Sequence, residues 1–156
     1  MRRDLHAPLP AAPLPPGVTL ASWTPALAAR FFAAYQAAFR DRPGFPGWSA
    51  EQWIDWATGD PGLRPHLSVL ASHGDQPVGF LICGDNSIDQ TGVRPEWRGR
   101  GVCSAIVVET LRRLRGEGCD HALLTVNVNN PSAARLYRRL GFAPIGRRAR
   151  YVRELE

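Results

Sequence analysis

The sequence predicts a single α/β or α+β domain built around a mixed sheet. The chain of 156 residues, 44% hydrophobic and 21% charged, has the size and composition of one globular domain. Its apolar residues recur at helical spacing in some segments and alternate in others, in the order α-α-β-β-β-α-β-α-β-β. This order indicates helices packed against a mixed sheet.

The N-terminal part begins with a proline-rich segment. Five prolines within residues 1–17 favour a flexible, extended or disordered arm over a core element. Residues 18–156 form the predicted domain. A first strand is predicted at 18–20, and Thr24 followed by Pro25 is typical of the start of a helix, which we expect to end near residue 40.

The next segment contains a short helix and a hairpin. Ser49 and Gln52 have the spacing of a capping box, which predicts a helix through Trp56. Residues 66–72 and 77–83, joined by a turn sequence, predict a β-hairpin.

The C-terminal half alternates strands and helices. Strands are predicted at 88–93 and 122–128, with a helix at 102–115 between them. Gly92 inside the first of these strands predicts a bulge or the close approach of a ligand. Asn130 followed by proline predicts an N-cap, with a helix to residue 140 and a final hairpin at 142–153.

Charge is distributed unevenly along the chain. All 19 basic side chains are Arg. Residues 1–93 carry six Arg against eight acids, net −2, whereas residues 94–156 carry thirteen against six, net +7. The C-terminal part therefore favours an anionic partner, and charge alone leaves nucleic acid and a phosphorylated cofactor both open.

Several other classes of protein are disfavoured. No run of about 18 apolar residues is present, which excludes a membrane-spanning helix. The arginine pair at 2–3 has no apolar segment behind it, so we expect a cytoplasmic protein without an export signal. Cys83, Cys103 and Cys119 are widely spaced and odd in number, which predicts reduced thiols and no metal site.

The segment 93–102 joins a strand directly to a helix N-terminus. Such a junction presents unpaired backbone N–H groups and the positive end of the helix dipole, and glycines let a phosphate approach the main chain. Arg98 and Arg100 can add charge-assisted hydrogen bonds, and Ser104 can offer a hydroxyl. An ordinary Gly-rich turn with solvated arginines is the alternative. The P-loop and Rossmann glycine patterns are both absent.

Two motifs in this part of the chain resemble those of a known family. Residues 93–101, V-x-P-x-x-R-G-R-G, look like motif A of the GNAT superfamily of N-acetyltransferases, usually R/Q-x-x-G-x-G/A, although Cys103 stands where Gly or Ala is usual. Residues 127–142 resemble its motif B, in the family's order and spacing. The resemblance covers about residues 18–153 and implies a GNAT-like mixed, mostly antiparallel central sheet flanked by about four helices, with strands splayed at the acyl-CoA site.

The resemblance implies transfer of an acetyl group from acetyl-CoA to a primary amine by direct attack in a ternary complex. It assigns Tyr137 to protonation of the CoA sulfur, with a buried packing tyrosine as the alternative. Asp89 is the expected base, acting directly or through water, with a solvated acid as the alternative. Alternation places Asp89 on the face of Ser87 and Thr91, with Gln90 on the other face.

The resemblance also implies how acetyl-CoA is bound. The oxyanion is expected at backbone N–H groups near Gly92 and Val93, with the pantetheine arm in a V-shaped opening beside their strand. Asn130 is expected to be an N-cap, a cofactor contact, or both. The full set predicted to contact acetyl-CoA comprises Gly92, Val93, Arg98, Gly99, Arg100, Gly101, Val102, Cys103, Ser104, Asn130, Ala133 and Tyr137.

In this family the first two helices and the final hairpin line the acceptor site. Here they supply the aromatic residues Phe31, Tyr35, Phe39, Phe45, Trp48, Trp53 and Trp56 and the acids Asp41, Glu51, Asp55 and Asp60. Aromatic faces with carboxylates suit a cationic amine, and core aromatics with surface acids are the alternative. Arg147, Arg148 and Arg150 can bind an acceptor carboxylate or face solvent. Amino acids, polyamines, an amine-bearing antibiotic and a peptide N-terminus all stay open as acceptors.

The predicted partners are acetyl-CoA and an amine acceptor, with no nucleic acid and no membrane. The apolar edges of the final strands would permit a homodimer. A non-catalytic CoA-binding module of the same fold is the main alternative, and a nucleic-acid-binding module is the second.

Overall fold

The computed structural model describes residues 1–149. Within them the chain forms six strands and four α-helices. The strands are β1 (Arg2–Asp4), β2 (Val18–Ser22), β3 (Val69–His73), β4 (Gln76–Gly84), β5 (Ser87–Val93) and β6 (His121–Leu124). The helices are α1 (Ala28–Phe39), α2 (Ala50–Gly59), α3 (Val102–Gly116) and α4 (Pro131–Arg139).

The strands form one open sheet in the order β1-β6-β5-β4-β3-β2. Only β5 and β6 run parallel, and the other neighbours are antiparallel. Alternate residues of β4 face opposite layers, since Phe80 packs with α1 and α2 whereas Leu81 packs with α3 and α4. The predicted mixed, mostly antiparallel sheet with four flanking helices is confirmed.

The first two helices follow directly from the sequence. Helix α1 buries Phe31, Ala34, Tyr35 and Ala38 on one face, at the spacing of an amphipathic helix. Helix α2 begins at the predicted capping box, in which Ser49 accepts from the backbone N–H of residue 52 at 3.2 Å and the residue 52 side chain accepts from the N–H of Ser49 at 2.9 Å. Thr24 is the N-cap with Pro25 after it, as predicted, but they begin a short 3₁₀ turn over residues 25–27 that leads into α1, and the Thr24 side chain makes no capping hydrogen bond.

Strands β5 and β6 separate soon after they meet. They pair only at Ser87 with Leu123 and at Ile88 with Leu124. Strand β6 ends at Leu124 rather than at the predicted residue 128, and the Asn127 side chain then accepts a backbone N–H two residues on, at 2.9 Å. The rest of β5 therefore has no strand partner on this side within residues 1–149, and the predicted V-shaped opening is present.

The first residues of the chain belong to the folded domain. Strand β1 pairs antiparallel with β6, and Leu5 is fully buried. The buried Arg3 guanidinium donates to the carbonyl oxygens of Leu140, Asp4 and Pro8 at 2.8, 2.6 and 2.6 Å. The expected flexible arm over residues 1–17 is therefore wrong for its start, because backbone pairing to a distant strand orders this segment whatever its proline content.

The final hairpin expected at 142–153 has no strand in its described part. Residues 142–149 contain one bridge, between Ala143 and Arg2, and no turn of a hairpin. Arg150 and the remainder of that segment lie outside the described residues. No helix within residues 1–149 has both the length and the apolar character needed to cross a membrane.

Candidate active site

The junction between β5 and α3 has the geometry of an anion site. A 3₁₀ turn at residues 95–97 leads to Gly99 and Gly101, whose φ angles are +74° and +86°. These values favour glycine, and a Cβ added at either residue would meet nothing within 4 Å, so this side of the loop is open. Gly101 is the N-cap of α3 and no side chain caps the helix. The first N–H groups of a 15-residue helix are therefore available to an anion.

The two motif A arginines have different surroundings. The Arg98 guanidinium donates to the carbonyl oxygens of Val93 at 3.2 Å and Ala38 at 2.9 Å, which ties the loop to the end of α1. The Arg100 guanidinium lies 4.8 Å from the centre of the Trp97 ring and is exposed. Arg98 therefore stabilises the loop, whereas Arg100 is the more available of the two side chains for binding an anion.

Tyr137 projects from α4 toward the first turn of α3. Its side chain is 8% exposed and packs edge-on against Phe142, with ring centres 5.9 Å apart. Its hydroxyl has no hydrogen-bond partner among residues 1–149. Burial raises the pKa of Tyr137, the Cys103 thiol raises it further, and the positive charge of Arg42 opposes them. Within the described residues the hydroxyl is therefore a protonated donor without an acceptor.

The Cys103 thiol lies in a packed position beside Tyr137. Burial raises the pKa of Cys103 to about 11, and a hydrogen bond with Thr91 opposes this effect. A thiol with this pKa stays protonated at neutral pH and is a poor nucleophile. The residue that departs from the motif A pattern therefore fills space between α3 and β5.

The structure keeps Asp89 on the face of Ser87, as alternation predicted, but it places Gln90 on that face too and Thr91 on the other. Ile82 pairs with Gln90 and the next β4 residue pairs with Ile88, so Asp89 is the extra residue of a β-bulge. Asp89 and Gln90 consequently both lie on the α1–α2 side, where Asp89 lines a small cavity with Trp56. Burial raises the pKa of the Asp89 carboxyl, and the negative charges of residues 60 and 85 add to this, against a hydrogen bond with Ser87.

The glycine at position 92 is required because β5 packs closely against α1 at this point. A Cβ added there would lie 2.8 Å from the Ala38 Cβ and 2.9 Å from the Phe39 ring. The predicted close approach at Gly92 is therefore that of α1 rather than that of a ligand, and the bulge of this strand lies at Asp89 instead. The N-cap predicted at Asn130 is confirmed, since its side chain accepts from the N–H of Ala133 at 3.2 Å.

The aromatic residues proposed to line the acceptor site divide into two groups. Phe31 and Trp53 are fully buried, so they are core residues. Others surround a cavity of about 360 Å³ beside the α1–α2 loop, here called the aromatic cavity. It is lined by Tyr35, Phe39, Arg42, Pro43, Gly44, Phe45, Pro46, Trp48, Trp56 and Gln90. None of the four acids predicted for this site lines it, whereas Asp60 lines the smaller cavity with Trp56 and Asp89.

The charged residue of the aromatic cavity is Arg42. Its guanidinium carbon lies 4.2 Å from the centre of the Phe39 ring. Burial lowers the pKa of Arg42, the charge of Arg98 lowers it further, and Tyr137 opposes them. Gln90 also reaches the cavity, and its Oε1 accepts from Trp53 Nε1 at 3.0 Å. Neither Arg42 nor Gln90 was among the site residues predicted from the sequence. Arg42 follows Phe39 by three positions in a loop rich in Gly and Pro, and this position could have indicated that it lies at the site.

Comparison with known proteins identifies the family. The model of the Acetyltransferase (GNAT) family matches residues 25–142, which is more than half of the chain. The chain belongs to the GNAT family. The predicted resemblance is confirmed, and the matched segment contains the loop before α3, Tyr137 and the aromatic cavity.

Relatives of this GNAT chain include acetyltransferases that are about twice as long as this chain. The mycothiol acetyltransferase of Thermobispora bispora is 35% identical over 154 residues, which cover 91% of this chain and 52% of the relative. That of Salinispora tropica is 34% identical over 157 residues, with 92% and 50% covered. The chain thus spans about half the length of the curated relatives it matches.

Solved structures share the GNAT fold. A GCN5-related N-acetyltransferase from Sphaerobacter thermophilus superposes with a TM-score of 0.73 at 30% identity, covering 90% of this chain and 45% of that one. An aminoglycoside N-acetyltransferase determined in complex with CoA superposes with a TM-score of 0.69 at 14% identity, covering 88% and 95%. The second likeness concerns the fold alone.

Proposed function

We propose that this GNAT domain transfers an acetyl group from acetyl-CoA to a primary amine by direct attack in a ternary complex. The observation that carries the proposal is the unengaged Tyr137 hydroxyl beside the uncapped first turn of α3. An anion-binding helix end and a free proton donor thus lie at one end of the opening between β5 and β6.

The residues present fit the cosubstrate. The N–H groups of Val102, Cys103 and Ser104 would hold the pyrophosphate, and Arg100 would add a charge-assisted hydrogen bond. The unpaired edge of β5 would pair with the amide groups of the pantetheine arm. Asn130, already bonded to the N–H of residue 133, keeps its side-chain amide for a further contact.

The transfer needs a donor for the leaving sulfur and an acceptor for the amine proton. The amine nitrogen bonds to the acetyl carbon, the carbon–sulfur bond breaks, and Tyr137 donates its proton to the sulfur. Asp89 would take the amine proton through water, since Trp56 lines both its cavity and the aromatic cavity. Backbone N–H groups near Gly92 and Val93 would bind the oxyanion.

The experiment that tests this proposal measures thiol release from acetyl-CoA. The panel contains amino acids, polyamines, an aminoglycoside, short peptides and unacetylated mycothiol, because the curated relatives are mycothiol acetyltransferases. A reading without acetyl-CoA corrects for the three cysteines of the chain. Turnover of one class supports the proposal.

Binding of CoA without transfer to any member would instead favour the non-catalytic CoA-binding module. Calorimetric titration with CoA provides that reading independently of turnover. Homodimer formation and a cytoplasmic location stay predictions.

A further inference from the structure

We propose that the aromatic cavity binds an amino acid that has an apolar side chain, with the carboxylate on Arg42 and the amine toward Tyr137. This inference rests on the proposed function and names its acceptor class. The aromatic cavity, the cation at its rim and the polar groups that line it carry the inference.

Arg42 is a cation without a carboxylate partner in the part of the chain that is described. No acid within residues 1–149 lies within 4 Å of its guanidinium, whereas Arg64, Arg94, Arg112 and Arg113 each pair with a glutamate. The Phe39 ring covers one face of the guanidinium, and the neighbouring Arg98 has the same charge. A partly desolvated cation beside a like charge favours an anionic ligand, and the planar guanidinium matches a carboxylate with two hydrogen bonds.

The polar side chains of the cavity offer donors. The indole N–H of Trp53 can only donate, so the Gln90 atom that it meets is the carbonyl oxygen, and the amide N–H groups of Gln90 stay available. Trp48 and Trp56 add indole groups of the same kind. No carboxylate of residues 1–149 lines the cavity, so a second positive charge on the acceptor, as in a polyamine, would find Arg42 instead of a counter-ion from this part of the chain.

The position of Arg42 relates this cavity to the reacting end of the site. The Phe39 ring, whose centre lies 4.2 Å from the Arg42 guanidinium carbon, would lie 2.9 Å from a Cβ added at Gly92, which places Arg42 beside the end of β5 that leads to α3. A carboxylate on Arg42 would therefore hold the α-amine, two bonds from the carboxylate carbon, beside this end of β5 and toward Tyr137, on whose pKa the charge of Arg42 also acts. The aromatic walls and the volume of about 360 Å³ suit an apolar side chain.

The reaction transfers the acetyl group to the α-amine of the bound amino acid. The α-amine nitrogen bonds to the acetyl carbon and the carbon–sulfur bond breaks. The sulfur leaves with the electron pair and takes a proton from Tyr137, while the amine loses a proton to Asp89 through water. The products are an N-acetyl amino acid and CoA.

The test compares L-phenylalanine with L-phenylalaninamide in the thiol-release assay. We expect kcat/KM to be roughly tenfold to a hundredfold higher for the acid, the range of a hydrogen bond to a charged group. Arg42→Gln is expected to lower kcat/KM for the acid and so to abolish this preference. Arg40→Gln is the matched control, because Arg40 is exposed at the end of α1 and does not line the cavity. Equal rates for acid and amide, or a preference that survives Arg42→Gln, would overturn the inference.

A binding experiment separates failure of the inference from failure of the proposed function. N-acetyl-L-phenylalanine and its amide are titrated into protein saturated with CoA. A Kd at least tenfold lower for the acid than for the amide, with this difference absent in Arg42→Gln, supports the inference. If this binding preference is found but no acetyl transfer occurs, the proposed function is refuted and the inference is not. Transfer to amines without any dependence on the carboxylate supports the function and refutes the inference. Equal binding of both products, or none, counts against the inference.

Discussion

Replacement of Tyr137 by Phe removes one hydroxyl and leaves the packed ring in place. The ring keeps its contact with Phe142, and the hydroxyl has no hydrogen-bond partner to lose among residues 1–149. The free energy of unfolding should therefore change by less than about 0.5 kcal/mol. The reaction loses its proton donor, so we expect kcat to fall roughly ten- to a hundredfold, which raises the barrier by about 1.4–2.7 kcal/mol.

The assay follows thiol release with saturating acetyl-CoA, and calorimetry gives the Kd of CoA and the Tm. Because burial raises the pKa of Tyr137 above its ordinary value of 10.0, the hydroxyl stays protonated through neutral pH, and the loss should not vary with pH there. The Kd of CoA should stay within about twofold, since the hydroxyl is not part of the anion site.

Unchanged kcat in Tyr137→Phe would remove this residue from the mechanism. A fall in kcat accompanied by an equal weakening of CoA binding or a large drop in Tm would show that the residue supports the site by packing.

Three further predictions concern the fold and the expected base. Gly92→Ala places a methyl group 2.8 Å from the Ala38 Cβ and should cost roughly 1–3 kcal/mol of stability, seen as a lower Tm, whereas Gly116→Ala, with nothing within 4 Å, should not lower it. Arg3→Ala removes three hydrogen bonds to carbonyl oxygens, one of them buried and two partly buried, and should lower the free energy of unfolding by roughly 2–4 kcal/mol in urea titration; a loss under about 1 kcal/mol would contradict the structural role. The pKa of Asp89 is raised in the folded state, so its ionisation lowers stability as pH rises from its unfolded value through its folded value. Asp89→Asn should therefore raise the Tm at neutral pH, with the gain vanishing in acid, and should abolish the acidic limb of the kcat/KM profile; an unmoved limb would assign the amine proton to another group.

Local patterns explain why much of this fold could be predicted. The capping box before α2 and the N-cap at Asn130 depend on residues within three positions of each other, so they are readable without tertiary information. The anion site is local in the same way, because strand, glycine loop and helix N-terminus are contiguous in the chain.

Features that depend on distant pairing could not be predicted. Strand β1 exists because its backbone meets β6 more than a hundred residues away, and its three residues carry no pattern of their own. That Gln90 shares a face with Asp89 depends on a bulge that appears only when β4 and β5 pair. Both errors arise because strand register is a property of two segments.

The sequence by itself determined the family, the order of most elements and the residues at the start of α3, since these depend on local spacing and on motifs. Tertiary structure alone decided that Phe31 and Trp53 are core while the neighbouring aromatics enclose a cavity, because burial depends on which faces of α1 and α2 meet the sheet. It also decided that this cavity presents Arg42 instead of the predicted acids, because the side chains that line a cavity depend on how the loop after α1 packs beside α2 and β5.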